Sequence, residues 1–449
     1  MPALIRPAMA VLIALSPLFA ASPTSAQVAV PAAAAFSPHT VDPDLPGAAF
    51  AVTGNVSGDL RQEIVATGFG RFTSVPGGPP VPPAAGQLSV YHQSGRNLDT
   101  WSKRLVFDTD AAIPFPNEPA LSDLDRDGDR DIVVPGGFFR CTTACGSLTW
   151  WEQRPERSWK RHDVVAPGST PLFYHRAVVI DFDRDGRRDL VTVGESFQPV
   201  TRIEGQPPAH AWIQVFRGTD GPERFSGEPI DIAAGGGALP VVEDIDSDGD
   251  LDLASPQYFE PGAGYVWLER TGAPNPDHPM GSFTRHVIDT TQGKAIALRP
   301  VRNLFGDGRT TWVGSNHTNT AFPPGSSEPA SQVVTFSVPD DPRSPWTPTA
   351  VSNGISSRGR PGQAAPGVFG SGDMDGDRDT DLLVSGDGDD RLFWLEQKPN
   401  RTFATHVLAS RAGQAGGAVV TDLDYRWPWR NEAVFTVFES NSVRLWTRD

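Results

Sequence analysis

The sequence predicts an all-β fold, a seven-bladed β-propeller of four-stranded blades whose ring is closed by the N-terminal strand. Three observations predict it. Acidic nine-residue segments recur in one setting, between two β-branched or leucine-rich stretches. An aromatic strand signature recurs with a period of roughly 60 residues, longer than the commonest propeller repeat. The repeat is also out of phase with the ends of the chain.

The acidic segments come first. DLDRDGDRD carries Asp123, Asp125, Asp127 and Asp131, and DFDRDGRRD carries Asp181, Asp183, Asp185 and Asp189. DIDSDGDLD carries Asp244, Asp246, Asp248 and Asp252, and DMDGDRDTD carries Asp373, Asp375, Asp377 and Asp381. Carboxylates at alternate positions can close around one hard cation, and Ca²⁺ takes six to eight oxygens at about 2.3–2.6 Å. The spacing resembles an EF-hand loop, but no helix follows and no Glu stands at the twelfth position. The last Asp is at the ninth position and runs straight into IVV, LVTV, LAS or LLVSG. Each loop therefore joins two strands. So many like charges in one turn repel without a cation, and the expectation is about four structural Ca²⁺ ions. Three related segments depart from the pattern. NVSGDLRQE at 55–63 has fewer acids, NLFGDGRTT at 303–311 has Phe305 and Thr311 where acids belong, and DLDYRWPWRNE at 422–432 is longer. Metal is doubted in the first and last and rejected in the middle one. Arg378 replaces the loop glycine of 373–381, which puts that turn in question but not its charge.

The strand signature comes second. An aromatic residue, a polar one three later and an aliphatic one five later recur as Phe36/His39/Val41, Trp101/Arg104/Val106, Trp159/His162/Val164, Phe225/Glu228/Ile230, Phe283/His286/Ile288, Trp346/Thr349/Val351 and Phe403/His406/Leu408. Six are preceded by a short aromatic strand: LSVYHQ, LTWWEQ, IQVFRG, YVWLER, VVTFSV and LFWLEQ. Each unit thus reads strand, acidic loop, strand, loop, aromatic strand, turn, final strand. The phase comes third. The last unit stops after its third strand, and the missing fourth, FSPHTV from Phe36, stands before the first unit. The N-terminal strand should complete the last blade, since full closure removes exposed sheet edges. Truncating 36–44 should open the ring.

The acidic loops and the W-x-E-Q…F-x-x-H-V pattern resemble the FG-GAP/VCBS repeat family, which includes the integrin α-subunit propeller, fungal propeller lectins and the propeller of aldos-2-ulose dehydratase. The resemblance covers nearly the whole chain after its first residues. It implies the fold and the calcium. It says little of function, because one fold hosts many activities.

Composition bounds the partners. MPALIRPAMAVLIALSPLFAASPTSAQ has one Arg, an apolar run and small residues near Ala26, so 1–26 reads as a secretory signal and 27–449 as a single propeller. An uncleaved anchor is the alternative. No later stretch is long enough to span a bilayer, and the expected location is periplasmic or extracellular. Cys141 and Cys145, in FFRCTTACGS, suit a local disulfide in an oxidising compartment, with a metal pair as the lesser reading. The formal charge is −16; four Ca²⁺ would bring it to about −8. A nucleic-acid partner needs a basic surface, and this chain has no basic run.

The family resemblance implies that ligands sit on the face opposite the calcium loops. Four of the nine His residues (His39, His162, His286 and His406) repeat at one strand position and read as structural. The remaining irregular residues are expected at the opposite face. His175, Tyr174, His317, Arg299 and Arg360 are the catalytic candidates. Glu118, Phe139, Arg140, Arg176, Glu195, Tyr258 and Glu260 are the ligand-binding candidates. Arg forks grip carboxylates, aromatic faces suit sugar rings, and a His–Tyr pair beside a carboxylate can move a proton. Two functions follow. One is carbohydrate binding, similar to the fungal lectins. The other is a sugar-active lyase or dehydratase, similar to aldos-2-ulose dehydratase, with His175 or Tyr174 as base, His317 as acid or ligand to an additional divalent metal, and the Arg pair holding an anionic intermediate.

Overall fold

A computed structural model describes residues 36–73, 81–95, 97–138, 144–260, 262, 264–320, 323–358, 363–425 and 431–448. The candidates Phe139, Arg140, Cys141 and Arg360, and the expected signal segment, lie outside the described residues.

Among the described residues, twenty-eight strands form seven antiparallel four-stranded sheets arranged as a ring of blades. Blade I holds β2 (Ala48–Gly54), β3 (Glu63–Gly68), β4 (Gln87–Gln93) and β5 (Trp101–Phe107). Blade II holds β6 (Ala120–Ser122), β7 (Asp131–Gly136), β8 (Ser147–Gln153) and β9 (Trp159–Val165). Blade III holds β10 (Phe173–Ile180), β11 (Asp189–Val200), β12 (Ala209–Phe216) and β13 (Ile230–Ala234). Blade IV holds β14 (Val241–Glu243), β15 (Asp252–Pro256), β16 (Tyr265–Gly272) and β17 (Ser282–Asp289). Blade V holds β18 (Ala295–Arg302), β19 (Thr310–Asn316), β20 (Val333–Ser337) and β21 (Thr347–Ala350). Blade VI holds β22 (Phe369–Gly372), β23 (Asp381–Ser385), β24 (Leu392–Gln397) and β25 (Phe403–Ala409). Blade VII takes β26 (Ala415–Thr421), β27 (Glu432–Val437) and β28 (Ser442–Arg448) from the C-terminus and β1 (Phe36–Asp42) from the N-terminus. Among the described residues no helix is long and apolar enough to cross a membrane.

Burial explains the strand sequences. Second strands such as β3 (EIVATG) and β7 (DIVVPG) are buried along their whole length, because neighbouring blades cover both faces. Fourth strands such as β5 and β9 lie at the rim and are largely exposed or half-buried, with burial confined to a few positions. The blade interfaces are filled by large side chains, Trp150, Trp212 and Trp267 among them, each contributing roughly 1.5–3 kcal/mol or more through burial.

The aromatic–His signature is a cross-strand pair. Trp150 faces His162, Trp267 faces His286 and Trp394 faces His406 across the third and fourth strands. The rings lie 4.0, 4.8 and 4.7 Å apart. Each His Nε2 also reaches the Glu two residues after its Trp: Glu152 at 2.7 Å, Glu269 at 2.7 Å and Glu396 at 2.8 Å. The last residue of the aromatic strand clasps the preceding blade. Gln153 Nε2 donates to Val56 O, Arg270 Nη2 to Phe182 O and Gln397 Nε2 to Leu304 O, at 2.8–2.9 Å. Blade III breaks the signature. Its fourth strand begins only at Ile230, while Phe225 sits in an isolated bridge to Gly218 and packs into the core. The G-P-E-R-F-S-G-E-P insertion bends the chain before the strand can start.

Closure runs through β1, which pairs with β28 from Phe36↔Arg448 to Asp42↔Val443. Asp42 then crosses to blade I. Its carboxylate accepts from Tyr91 Oη at 2.6 Å, Lys103 Nζ at 2.7 Å and the backbone N–H of Asp44 at 2.8 Å. Around the axis, the first strands of blades VI, VII and I adjoin. A Cβ on Gly416 would lie 2.1 Å from the Ala49 carbonyl oxygen, so only glycine permits that approach.

Candidate functional site

The acidic loops join first to second strands, as in the β6–β7 and β22–β23 connections, and their ninth-position acid is a backbone staple. Asp131 accepts the N–H groups of Leu124 and Gln153 at 2.8 and 3.0 Å. Asp189 holds Phe182 and Gly218, Asp252 holds Ile245 and Arg270, and Asp381 holds Met374 and Gln397. Glu63 and Glu432 make the first of these bonds in blades I and VII, to Val56 and Leu423. Blades I and VII therefore keep the first staple bond, whereas the blade V loop has Thr311 in place of the acid.

At the first position, Asp123, Asp181 and Asp244 each accept the N–H of the sixth residue through one oxygen. Their other oxygen is buried with no hydrogen-bond partner. Burial pushes Asp131 and Asp381 up to about 7, and Asp189 and Asp252 up to about 6, against the pull of their backbone N–H bonds. Carboxylate oxygens of Asp123, Asp125 and Asp127 gather within 4.8 Å, as do those of Asp181, Asp183 and Asp189, of Asp244, Asp246 and Asp248, and of Asp373, Asp375 and Asp381. An all-oxygen set with orphaned buried oxygens fits a hard divalent cation. In blade VI the turn is conserved in geometry although its glycine has moved. Gly376 and Arg378 both have positive φ, at 83° and 76°, and the Arg378 N–H reaches Asp373 as Gly128 reaches Asp123. Arginines also enter three loops at the third position: Arg217 on Asp183, Arg343 on Asp246 and Arg448 on Asp375, at 2.7–2.9 Å.

The opposite face holds the irregular residues. His175 Nδ1 lies 2.8 Å from Glu195 Oε2, and Glu195 is wholly buried with its second oxygen unpartnered. Phe138 and Phe173 flank the imidazole at 5.2 and 5.5 Å, and Phe197 and Phe259 extend the group. A carboxylate on Nδ1 leaves Nε2 as the outward nitrogen. His317 makes a second, separate centre. Its Nδ1 donates to the Pro366 carbonyl at 2.8 Å, and its Nε2 lies 3.7 Å from Asp387. Tyr258 packs on His317 at 5.5 Å, with the Lys294 ammonium over its ring. Among the described ring contacts, His175 and His317 connect through Phe173, Phe259 and Tyr258, so a proton-transfer pair or a shared metal between them does not follow from this geometry.

Tyr174 is not at this face. It is 2% exposed, its hydroxyl donates to Gln214 Oε1 at 3.1 Å inside blade III, and burial raises its pKa. Successive strand residues point to opposite sides, so an adjacent His and Tyr could not both face the ligand. Glu260 is committed to the backbone N–H of Ala211. Glu118 meets Arg299 at 3.1 Å and Arg176 at 3.6 Å, which brings blades II, III and V together at the channel. Sequence reasoning missed Asp387 and the rings of Phe69, Phe72 and Phe438, which meet Phe115 and one another at 5.1–6.2 Å. The signal for Phe69 and Phe438 was their place just after a second strand, the place that had singled out His317.

A family model described as an FG-GAP-like repeat matches residues 123–192 and 373–425. The chain is a seven-bladed propeller that carries FG-GAP-like repeats in these two segments. The matched segments contain the first two intact acidic loops and the last one. No curated protein matches the chain in sequence. Among solved structures, a streptogramin B lyase is 10% identical, with 92% of this chain and 98% of that one covered at a TM-score of 0.47. The exotype rhamnogalacturonan lyase YesX is 13% identical, with 94% and 75% covered at 0.47. A rhamnogalacturonan lyase of Bacillus licheniformis is 12% identical, with 94% and 75% covered at 0.43. Likeness at this level carries no argument about what this propeller binds.

Proposed function

We propose that this protein is an exported, calcium-stabilised propeller that binds a carbohydrate at the channel mouth, on the face opposite the acidic loops. One observation carries the reading. Half-buried rings (Phe138, Phe197, Phe259 and Tyr258) surround ionisable groups held by buried partners, at one irregular place rather than at seven equivalent ones. Apolar walls with a few fixed polar groups are what small-ligand sites present, and aromatic faces with polar neighbours suit a sugar ring. The acidic loops supply rigidity, each cation cancelling charge that the turn has concentrated. Cys145, buried beside Phe173, suits the local disulfide that would pin the loop next to this site.

A second reading rests on the His175–Glu195 pair. A buried carboxylate that orients an imidazole leaves Nε2 ready to accept a proton. Removal of a proton next to a carboxylate or carbonyl would turn the C–H electron pair into a C=C bond. The C–O bond on the neighbouring carbon would break, and the leaving oxygen would take a proton from solvent. Ligand-observed NMR with neutral sugars, uronic-acid oligosaccharides and keto-sugars separates the two. Line broadening without new signals supports binding. New vinylic protons that vanish in His175→Ala support elimination. Silence across the panel refutes both.

A further inference from the structure

The channel is lopsided. On one side stand Glu118, Arg176 and Arg299, from blades II, III and V. On the other side the first strands of blades VI, VII and I present uncharged residues, Phe50, Val52, Gly370, Ser371, Gly417 and Ala418 among them. Between the two walls lies a cavity of about 280 Å³ lined by Glu118 and Arg299. At roughly 30 Å³ per water of liquid, it has room for about nine waters.

The charged wall is not balanced. Glu118 is 7% exposed and accepts both oxygens' contacts from Arg299 Nη2, at 3.1 and 3.4 Å, with Arg176 Nε 3.6 Å away. Two guanidinium groups face one carboxylate, which leaves one positive charge over. The donors are in excess as well, since Arg176 Nη1 and Arg299 Nε are buried with no hydrogen-bond partner. Burial, reinforced by the neighbouring Arg299, holds the Arg176 pKa below its ordinary value even with Glu118 beside it. An orphaned buried guanidinium N–H costs free energy unless an acceptor arrives, and a flat fork of donors matches a carboxylate.

We propose that Arg176 and Arg299 form a carboxylate clamp in the channel, in which Glu118 is a tethered stand-in, and that the ligand is a sugar bearing a carboxylate. The last clause rests on the carbohydrate reading above; the clamp does not. A single spare charge suits a monoanion, and Glu118 repels a dianion such as phosphate.

Calorimetric titration of the calcium-loaded protein tests this with glucuronate, glucose, acetate and inorganic phosphate. Glucuronate and glucose differ only in a carboxylate against a hydroxymethyl group. Glucuronate is expected to bind at least about tenfold more tightly than glucose, a difference of about 1.4 kcal/mol. Arg299→Gln should abolish that preference, Arg299→Lys should restore part of it, and Glu118→Gln should tighten glucuronate and leave glucose unchanged. Arg176→Gln guards against a misfolded single variant. Equal binding of glucuronate and glucose, insensitive to both arginines, overturns the clamp and leaves the carbohydrate reading standing. Acetate as tight as glucuronate, with arginine dependence, keeps the clamp and overturns the sugar clause. Phosphate tighter than either carboxylate, or no binding by any of the four, overturns the proposal.

Discussion

Asp42→Ala tests whether the ring is held shut at the junction of the chain's two ends. Asp42 closes β1 and carries the seam into blade I through Tyr91 and Lys103. Three costs add. The Tyr91 hydroxyl, on a residue 1% exposed, loses its partner, at about 1–3 kcal/mol for a buried orphan. The Lys103 side chain is 35% exposed, so its ion pair contributes at most about 1 kcal/mol. The turn bond from the Asp44 N–H contributes about 1 kcal/mol more. The expected loss is about 2–5 kcal/mol in urea unfolding, and Tyr91→Phe added to Asp42→Ala should recover part of it by removing the orphan. The pH dependence has a definite sign. Burial works to raise the Asp42 pKa, but hydrogen bonds from Lys103, Tyr91 and the Asp44 backbone outweigh it and hold the carboxyl below 3.8. The stabilisation is therefore complete above pH 3.8 and is lost as the pH falls through the lower folded-state value. A wild-type–variant gap under 0.5 kcal/mol, roughly what an ordinary surface change produces, or a gap that does not narrow in acid, would refute the reasoning.

Three further outcomes are expected. Chelation with EDTA should lower the melting temperature, since each site held at a hundredfold excess over its Kd contributes about 2.7 kcal/mol; an unchanged melting curve sinks the calcium assignment. Asp189→Ala should cost about 2–4 kcal/mol by freeing the Phe182 and Gly218 N–H groups, measurable by denaturant titration with and without Ca²⁺. Glu432 is held up at about 8, chiefly by burial. Its folded-state pKa lies above the unfolded value of 4.5, so the chelated protein should lose stability as pH rises from 4.5 towards 8. Glu432→Gln should flatten that slope, and an identical slope in the variant counts against the assignment.

The repeat was legible because every blade solves the same packing problem. Trp150, Trp267 and Trp394 each need a cross-strand partner and an acid to fix it, so the signature W-x-E…H is written three times over. The acidic loops are legible for a similar reason: an acid at the end of the loop holds backbone N–H groups at its start and beyond, and the first of these bonds survives at Glu63 and Glu432 where the rest of the loop has drifted. Closure by β1 followed from counting strands. The ligand face was only partly legible. That Arg299 meets Glu118 across 181 residues depends on ring closure, which no local pattern encodes. Tyr174 and His175 are neighbours in sequence, yet one is core and the other faces outward, because the strand's alternation decides and β10 has an irregular register between Tyr174 and Ala177. Asp387 carries no motif, and only the juxtaposition of blades V and VI sets it beside His317. The sequence by itself determined the blade, its loops and their number, since these rest on contacts repeated within a unit. Tertiary structure alone decided which single-copy residues share the channel, since that depends on how seven similar units close on one another.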